Sequence, residues 1–280
     1  MKIKCYGSRG SIPVSGVEYN KYGGDTCCLA ITSKTNDLLI IDSGTGIRKL
    51  GNELIANSHR EFSMIFTHAH WDHLMGFPFF KPIYDSRFKI NLYGCPFVPN
   101  MTVKDMVAST MHAPNFPVNV DACRADIKYI DIKYSAFNIG SLHIIPIFLS
   151  HPNGGVGYKI IEDDKTFVFL TDNELGFRHP DGLDFIDYVR DCLNVDLLIH
   201  DAEYLPEEYE KRKTWGHSTY KEAVKLATES HVKQLGLFHH NQDRTDDQID
   251  SIVDRCNQQL LKSKTKTQCF GVRSGQEIEL

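Results

Sequence analysis

Four side chains able to bind a metal ion fall within six residues in His68-Ala69-His70-Trp71-Asp72-His73. Imidazole nitrogen and carboxylate oxygen suit zinc and neighbouring divalent ions. The apolar run Ser63 to Phe66 leads into Thr67, so the cluster stands just past the end of an expected strand. In an extended or looped segment His68 and His70 can project together, while Asp72 and His73 serve a neighbouring ion. A polar loop that is histidine-rich by chance is the bland alternative, but unpartnered His and Asp beside a hydrophobic strand would be costly to bury. One cluster cannot close two coordination spheres, so more ligands are expected at other strand ends. His151 follows the apolar run Leu142 to Leu149, Asp172 follows Thr166 to Leu170, and His239 follows Gln234 to Phe238. Each alone reads as an ordinary hydrogen-bonding residue. Together they form a set.

The elements that must hold these residues are mostly strands. Ile3 to Tyr6, Cys28 to Thr32, Leu38 to Ile41 and Phe62 to Phe66 fill the first third, broken by turns such as Tyr22-Gly23-Gly24. A helix is expected after Asp42-Ser43-Gly44-Thr45-Gly46, with Ile47, Leu50 and Leu54 at helical spacing. Leu142 to Leu149, Gly157 to Ile161, Thr166 to Leu170, Asp196 to Ile199 and Gln234 to Phe238 continue the strand pattern. Ser218 is the expected N-cap of a helix with Ala223, Leu226 and Ala227 on one face, and Thr245 opens another through Ile249, Ile252 and Val253. This pattern fits two packed sheets with outer helices as well as it fits an alternating parallel α/β sheet.

The 280 residues, 41% hydrophobic and 24% charged, suit a globular protein with a sizeable core. No Pro-, Gly- or Ser-rich linker divides them, so one domain over residues 1–280 is expected. A formal net charge of -5 gives no general attraction to nucleic acid and argues against a long tRNA as substrate. The segment Met1 to Gly10 lacks the apolar stretch of a secretory signal, and no run is long enough to span a membrane. Eight cysteines, at positions 5, 27, 28, 95, 123, 192, 256 and 269, form no C-x-x-C pair, so reduced and mostly buried thiols in a cytoplasm are expected.

The pattern His68-x-His70-x-Asp72-His73, then His151, Asp172 and His239, resembles the metallo-β-lactamase superfamily over nearly the whole chain. The resemblance implies an α+β fold, the four-layer αββα sandwich. One metal would be held by His68, His70 and His151, a second by Asp72, His73 and His239, with Asp172 bridging them. His239 is preferred to His240 because it matches the Leu-x-His motif of the ribonuclease Z branch. Leu198-Ile199-His200-Asp201-Ala202-Glu203-Tyr204 and Trp215-Gly216-His217-Ser218-Thr219 are similar to motifs of the ribonuclease Z-like phosphodiesterases. Carried over, Asp201 would orient His217, and His217 would stand near the leaving oxygen or stabilise phosphoryl charge. Gly7-Ser8-Arg9-Gly10-Ser11-Ile12-Pro13-Val14, Asp42 to Arg48 and Phe116-Pro117-Val118 also resemble a bacterial subgroup of stand-alone hydrolases, whose members often carry Asn in place of Asp25. No long Gly/Pro-rich insertion resembles the arm with which ribonuclease Z grips tRNA.

These resemblances imply a phosphodiesterase acting on a nucleotide-like or small phosphodiester. Two metals about 3.5 to 4 Å apart would lower the pKa of a bridging water that attacks phosphorus in line. Asp72, Asp201 and His217 are the candidate catalytic groups, and Arg9 is a candidate contact to a phosphate. Zn²⁺ is the expected metal, and Mn²⁺ or Fe²⁺ fits similar sites. A carbonyl substrate such as a lactone, thioester or β-lactam is the alternative, against which Asp201 and His217 argue. A non-catalytic sensor would be expected to have lost a ligand, and none is missing. A redox diiron role is disfavoured by His70, where the flavodiiron branch carries Glu. Likeness to ribonuclease Z also implies a homodimer. The aromatic and Met residues of Phe77 to Phe80 and Met101 to Val118 could wall a substrate pocket or pack in the core.

Overall fold

The computed structural model describes residues 1–94, 101–132 and 135–280. Cys95 lies outside them. The strands are β1 (Lys2–Gly7), β2 (Cys28–Thr32), β3 (Leu38–Ile41), β4 (Glu61–Ile65), β5 (Lys89–Gly94), β6 (Asp126–Asp131), β7 (Phe137–Ile139), β8 (Leu142–Phe148), β9 (Val156–Glu162), β10 (Lys165–Leu170), β11 (Leu197–Asp201), β12 (Gln234–Phe238), β13 (Gln268–Gly271) and β14 (Glu277–Glu279). The α-helices are α1 (Ile47–Ala56), α2 (Trp71–Leu74), α3 (Val103–Ala108), α4 (Phe185–Asp191), α5 (Pro206–Tyr209), α6 (Tyr220–Glu229) and α7 (Asp246–Lys262).

Two sheets run in the orders β14-β1-β2-β3-β4-β5-β6 and β13-β12-β11-β10-β9-β8-β7. Each is mixed. The pairs β3·β4, β4·β5 and β5·β6 are parallel in the first, as are β10·β11, β11·β12 and β12·β13 in the second, and the remaining pairs are antiparallel. The period-two alternation of strand side chains explains the layering. In β2, Leu29 and Ile31 enter the core between the sheets, while Cys28 and Ala30 face the outer layer containing α1 and α3. In β10, Phe167 and Phe169 point inward, whereas Val168 and Leu170 meet the outer layer of α4, α6 and α7. Strands buried on both faces read as continuous apolar runs, which is why alternation was invisible in the sequence. The result is the four-layer αββα sandwich expected from the resemblance, not a single alternating sheet.

Local capping differs from expectation at one helix. Thr219, not Ser218, caps α6: its side chain accepts from the Glu222 amide, and Glu222 returns the bond in a capping box. The Ser218 hydroxyl instead donates to the Asn173 carbonyl at 2.6 Å and accepts from the Leu175 amide at 2.9 Å, tying two site-bearing loops together. Thr245 caps α7 as expected, in a box with Gln248. Phe77 and Phe80 are core residues, whereas Phe79 is exposed and meets Phe116 edge-on at 5.6 Å. All described cysteines except Cys123 are buried. No helix among the described residues is long and apolar enough to cross a membrane.

Candidate metal centre

Six segments bring polar side chains to one end of the two sheets. Asp42 follows β3, His68 to His73 follow β4, His151 follows β8, Asp172 follows β10, Asp201 ends β11 and His239 follows β12. The chain turns sharply at three of these ends. Asp42, Asp172 and His239 have φ of 60, 53 and 55°, in the left-handed region that Asp and His tolerate better than most residues. Asp72 and His73 lie in the short helix α2, not in the looped segment expected from sequence. Gly10 lets the β1 loop close over the site, because a Cβ there would fall 2.2 Å from the His239 ring. The next residue, Ser11, donates its amide to Asp72 Oδ2 at 2.9 Å.

Two groups of ligand-type atoms result, each gathered within 4.8 Å: His68, His70, His151 and Asp172, and then Asp72, His73, Asp172 and His239. Asp172 belongs to both. His68 Nε2 stands 3.6 Å from Asp172 Oδ2, and His70 Nδ1 lies 3.0 Å from His151 Nε2. His73 Nε2 lies 3.2 Å from Asp172 Oδ1, and His239 Nε2 lies 3.0 and 3.3 Å from Asp72 Oδ2 and Asp172 Oδ2. These are the seven ligand candidates named from sequence. His240 is outside the groups, with its Nε2 on the Val272 carbonyl at 2.8 Å.

The hydrogen bonds on the far side of each ring fix which nitrogen faces inward. Asp42 accepts from His73 Nδ1 at 2.8 Å, Glu203 from His239 Nδ1 at 2.9 Å, and the Gly216 carbonyl from His151 Nδ1 at 3.0 Å. With Nδ1 so engaged, Nε2 of each of these rings is the atom turned inward, toward carboxylate oxygens or other rings, where it can take a cation or, in an empty centre, a proton. Such an arrangement repels itself unless positive charge sits in the middle. Accordingly, the buried His68 Nε2 and His73 Nε2 have no hydrogen-bond partner. A pair of divalent cations fits this donor set.

The protonation tendencies agree. Burial drives His68, His70 and His151 below the usual imidazole value, His151 to about 3, so the first group offers neutral ligands. Burial also opposes charge on His73 and His239, but Asp72 and Asp172 around His73, and Asp172, Asp72 and Glu203 around His239, override it and raise both. Asp72 and Asp172 are held well below the ordinary carboxylate range, because the neighbouring histidines outweigh the cost of burial.

Beside the groups, His217 Nδ1 lies 2.6 Å from Asp201 Oδ2. Burial lowers His217, yet Glu203 and Asp201 outweigh it and bring its pKa to about 9. Its ring stacks on that of His239 with centroids 4.7 Å apart. The cleft above measures about 470 Å³ and is lined by Ser11, Ala69, His70, Trp71, Asp72, Asp172, His217 and His239. A larger cleft of about 780 Å³, lined by Lys233, Lys264 and Lys266 among others, opens at the other ends of β12 and β13, so size does not mark the site.

Arg9 does not line the metal cleft. It is fully buried, and its guanidinium donates to the carbonyls of Gly23, Asn241 and Arg244, a bracing role in place of the expected phosphate contact. Sequence reasoning missed Asp42 and Glu203 as supports of the ligand rings. Asp42 follows an apolar strand as Asp172 does, so the rule used for Asp172 could have found it. Glu174 was also missed: its buried carboxylate accepts from Tyr209, from the Thr214 and Gly216 amides and from His179, and so fixes the loop that presents His217. Nothing in local spacing signals it.

A family model described as the beta-lactamase superfamily domain matches residues 39–240. Ribonuclease Z of Haloarcula marismortui is 22% identical over 285 residues, 85% of this chain and 86% of its own. Among solved structures, the metallo-beta-lactamase fold protein YhfI from Bacillus subtilis aligns with a TM-score of 0.71 at 17% identity and covers 99% of each chain. A diphosphatase from the PhnP family aligns with a TM-score of 0.68 at 16% identity, covering 100% of this chain and 97% of its own. At such identities the structural likeness is one of fold.

Proposed function

This chain belongs to the β-lactamase superfamily, matched over residues 39–240, and from that premise we propose that it is a dinuclear metal-dependent phosphodiesterase acting on a nucleotide-like or other small phosphodiester. The observation that carries the reading is the Asp201–His217 pair, 2.6 Å apart, at the rim of two ligand groups that share Asp172. The two segments that carry this pair, Leu198 to Tyr204 and Trp215 to Thr219, are those that resemble motifs of the ribonuclease Z-like phosphodiesterases, and an alkoxide leaving a phosphodiester benefits from such a positioned acid.

His68, His70, His151 and Asp172 would hold one ion, and Asp72, His73, Asp172 and His239 the other. When bound, such ions acidify water and neutralise phosphoryl oxygens, with Zn²⁺ fitting the imidazole-rich set. Asp201, engaged with Nδ1, leaves Nε2 of His217 to serve the cleft. With its pKa at about 9, His217 carries a proton at neutral pH and gives it to the leaving oxygen as the P–O bond breaks. The products are an alcohol and a phosphate monoester, and the imidazole regains its proton from solvent.

The test is metal analysis of the purified protein together with hydrolysis of bis-p-nitrophenyl phosphate, with and without chelator, using His68→Ala as control. About two ions per chain and chelator-sensitive turnover are expected. Metal without diester turnover, accompanied by cleavage of a lactone or thioester, would replace this reading with the carbonyl one. tRNA 3′ processing is a second reading, favoured by similarity to proteins named ribonuclease Z over 85% of the chain. Against it stand the net charge of -5 and the lack of a long Gly/Pro-rich arm in the sequence. Cleavage of a precursor tRNA far faster than a dinucleotide would favour that second reading.

A further inference from the structure

The chain has two tryptophans, at positions 71 and 215. Both stand beside functional residues instead of in the core. Trp215 is 61% exposed in the loop before His217 but does not line the cleft. Trp71 does line it, and is 77% exposed. An indole offers a large, flat π-face to any ring that reaches it.

Position matters as much as exposure. Trp71 lies between His70 and Asp72, one from each ligand group, and is the first residue of α2. Its backbone is thus flanked on both sides by residues of the metal centre, which places the indole beside the two ligand groups. The rest of the cleft lining is charged, imidazole or small: Ser11, Ala69, His70, Asp72, Asp172, His217 and His239. One large π-face in an otherwise polar cleft suits one flat polar ring. A lipid chain would need several apolar walls, and a simple alkyl ester would gain little from an indole. At about 470 Å³ the cleft falls in the size range of small-molecule sites.

Building on the phosphodiesterase reading, we propose that Trp71 is the platform on which a nucleobase stacks, which makes the substrate a nucleoside-bearing phosphodiester. Stacking on an aromatic side chain tolerates any base, so the preference is for a base over none, with little discrimination among the four.

The test compares the methyl esters of AMP and of ribose 5-phosphate, which share the diester and differ only in the base. The wild-type protein is expected to favour the AMP ester in kcat/KM by about ten- to hundredfold. Trp71→Ala should bring that ratio near one, and Trp71→Phe should keep most of the preference. Because Trp71 is exposed, its truncation opens no core cavity. Binding supplies an independent readout: in Trp215→Phe the single remaining indole is Trp71, and its fluorescence should be quenched saturably by AMP but not by ribose 5-phosphate. Equal kcat/KM for the two esters together with no quenching would overturn the stacking proposal even if both were hydrolysed. Quenching by AMP without hydrolysis of either ester would uphold stacking and sink the phosphodiesterase reading instead.

Discussion

The two ligand groups share Asp172 but are braced by different chemistry. Behind His73 and His239 stand the carboxylates of Asp42 and Glu203, at 2.8 and 2.9 Å. Behind His151 stands only the Gly216 carbonyl, and His68 Nδ1 meets Asp42 indirectly, through the Thr67 hydroxyl at 3.1 Å. His70 is partly exposed in the cleft, whereas His73 and His239 are buried. A carboxylate on the far nitrogen makes an imidazole a stronger base and a better-oriented ligand. The group of Asp72, His73 and His239 is therefore expected to retain an ion more tightly than the group of His68, His70 and His151.

The severest challenge to this comparison removes the residue both groups share. Asp172→Ala strips the first group of its carboxylate, leaves the second with Asp72 alone and gives both less to attract a cation. Metal content is expected to fall well below two ions per chain, with turnover at background. Retention of one firmly bound ion would show that Asp172 serves a single group. The next largest effect touches neither group. His217→Ala should keep both ions by elemental analysis and slow turnover of an unactivated diester by about a hundred- to ten-thousandfold. Since the acid must be protonated to act, wild-type turnover should decline on the alkaline side. That decline should centre below about 9, because nearby cations lower the pKa that Glu203 and Asp201 raise. The variant should lack this limb, and an unchanged alkaline limb in His217→Ala would assign the proton to another group.

The supports differ from the ligands in how far the sequence reveals them. The ligands sit directly after apolar strands or within one six-residue cluster, so local pattern exposes them. The same patterning marked the strands from β1 to β4 and β8 to β12. It passed over β5 and β6, whose alternations Lys89-Ile90-Asn91-Leu92 and Asp126-Ile127-Lys128-Tyr129 are diluted by charged and polar residues, and the short edge strands β7, β13 and β14. Sheet order was out of reach because β14 pairs with β1 from the opposite end of the chain. Glu174 serves the His217 loop through backbone amides some 40 residues away, a long-range debt that no spacing records. The burial of Arg9 is hidden because a Gly/Ser-rich turn looks solvent-exposed, while two of its three carbonyl partners come from segments more than 200 residues distant.

A gentler change acts on one brace only. Asp42→Asn keeps the shape behind His73 but removes the charge, and should weaken metal binding about ten- to a hundredfold at the Asp72, His73, His239 group. Competition with a graded series of chelators measures it. In the wild-type protein one ion should leave well before the other, and in Asp42→Asn the two should leave closer together. Simultaneous loss in both proteins would erase the difference between the groups.

The smallest effect distinguishes the groups without any mutation. Metal ligation requires the imidazole nitrogen unprotonated. His68, His70 and His151 already meet that condition at neutral pH, since burial lowers them. His73 and His239 are pushed the other way: with the centre empty, the carboxylates around them overcome burial and favour the protonated form. Loading the carboxylate-braced group should therefore expel more protons than loading the other. Stepwise addition of Zn²⁺ to the metal-free protein in weak buffer with an indicator dye should show the release concentrated in the first equivalent. The same linkage makes the tighter ion the more sensitive to acid, because protons compete for His73 and His239 and not for the first group. As pH falls the two affinities should converge, and a gap that instead widened toward acid would place the proton-bearing histidines in the other group.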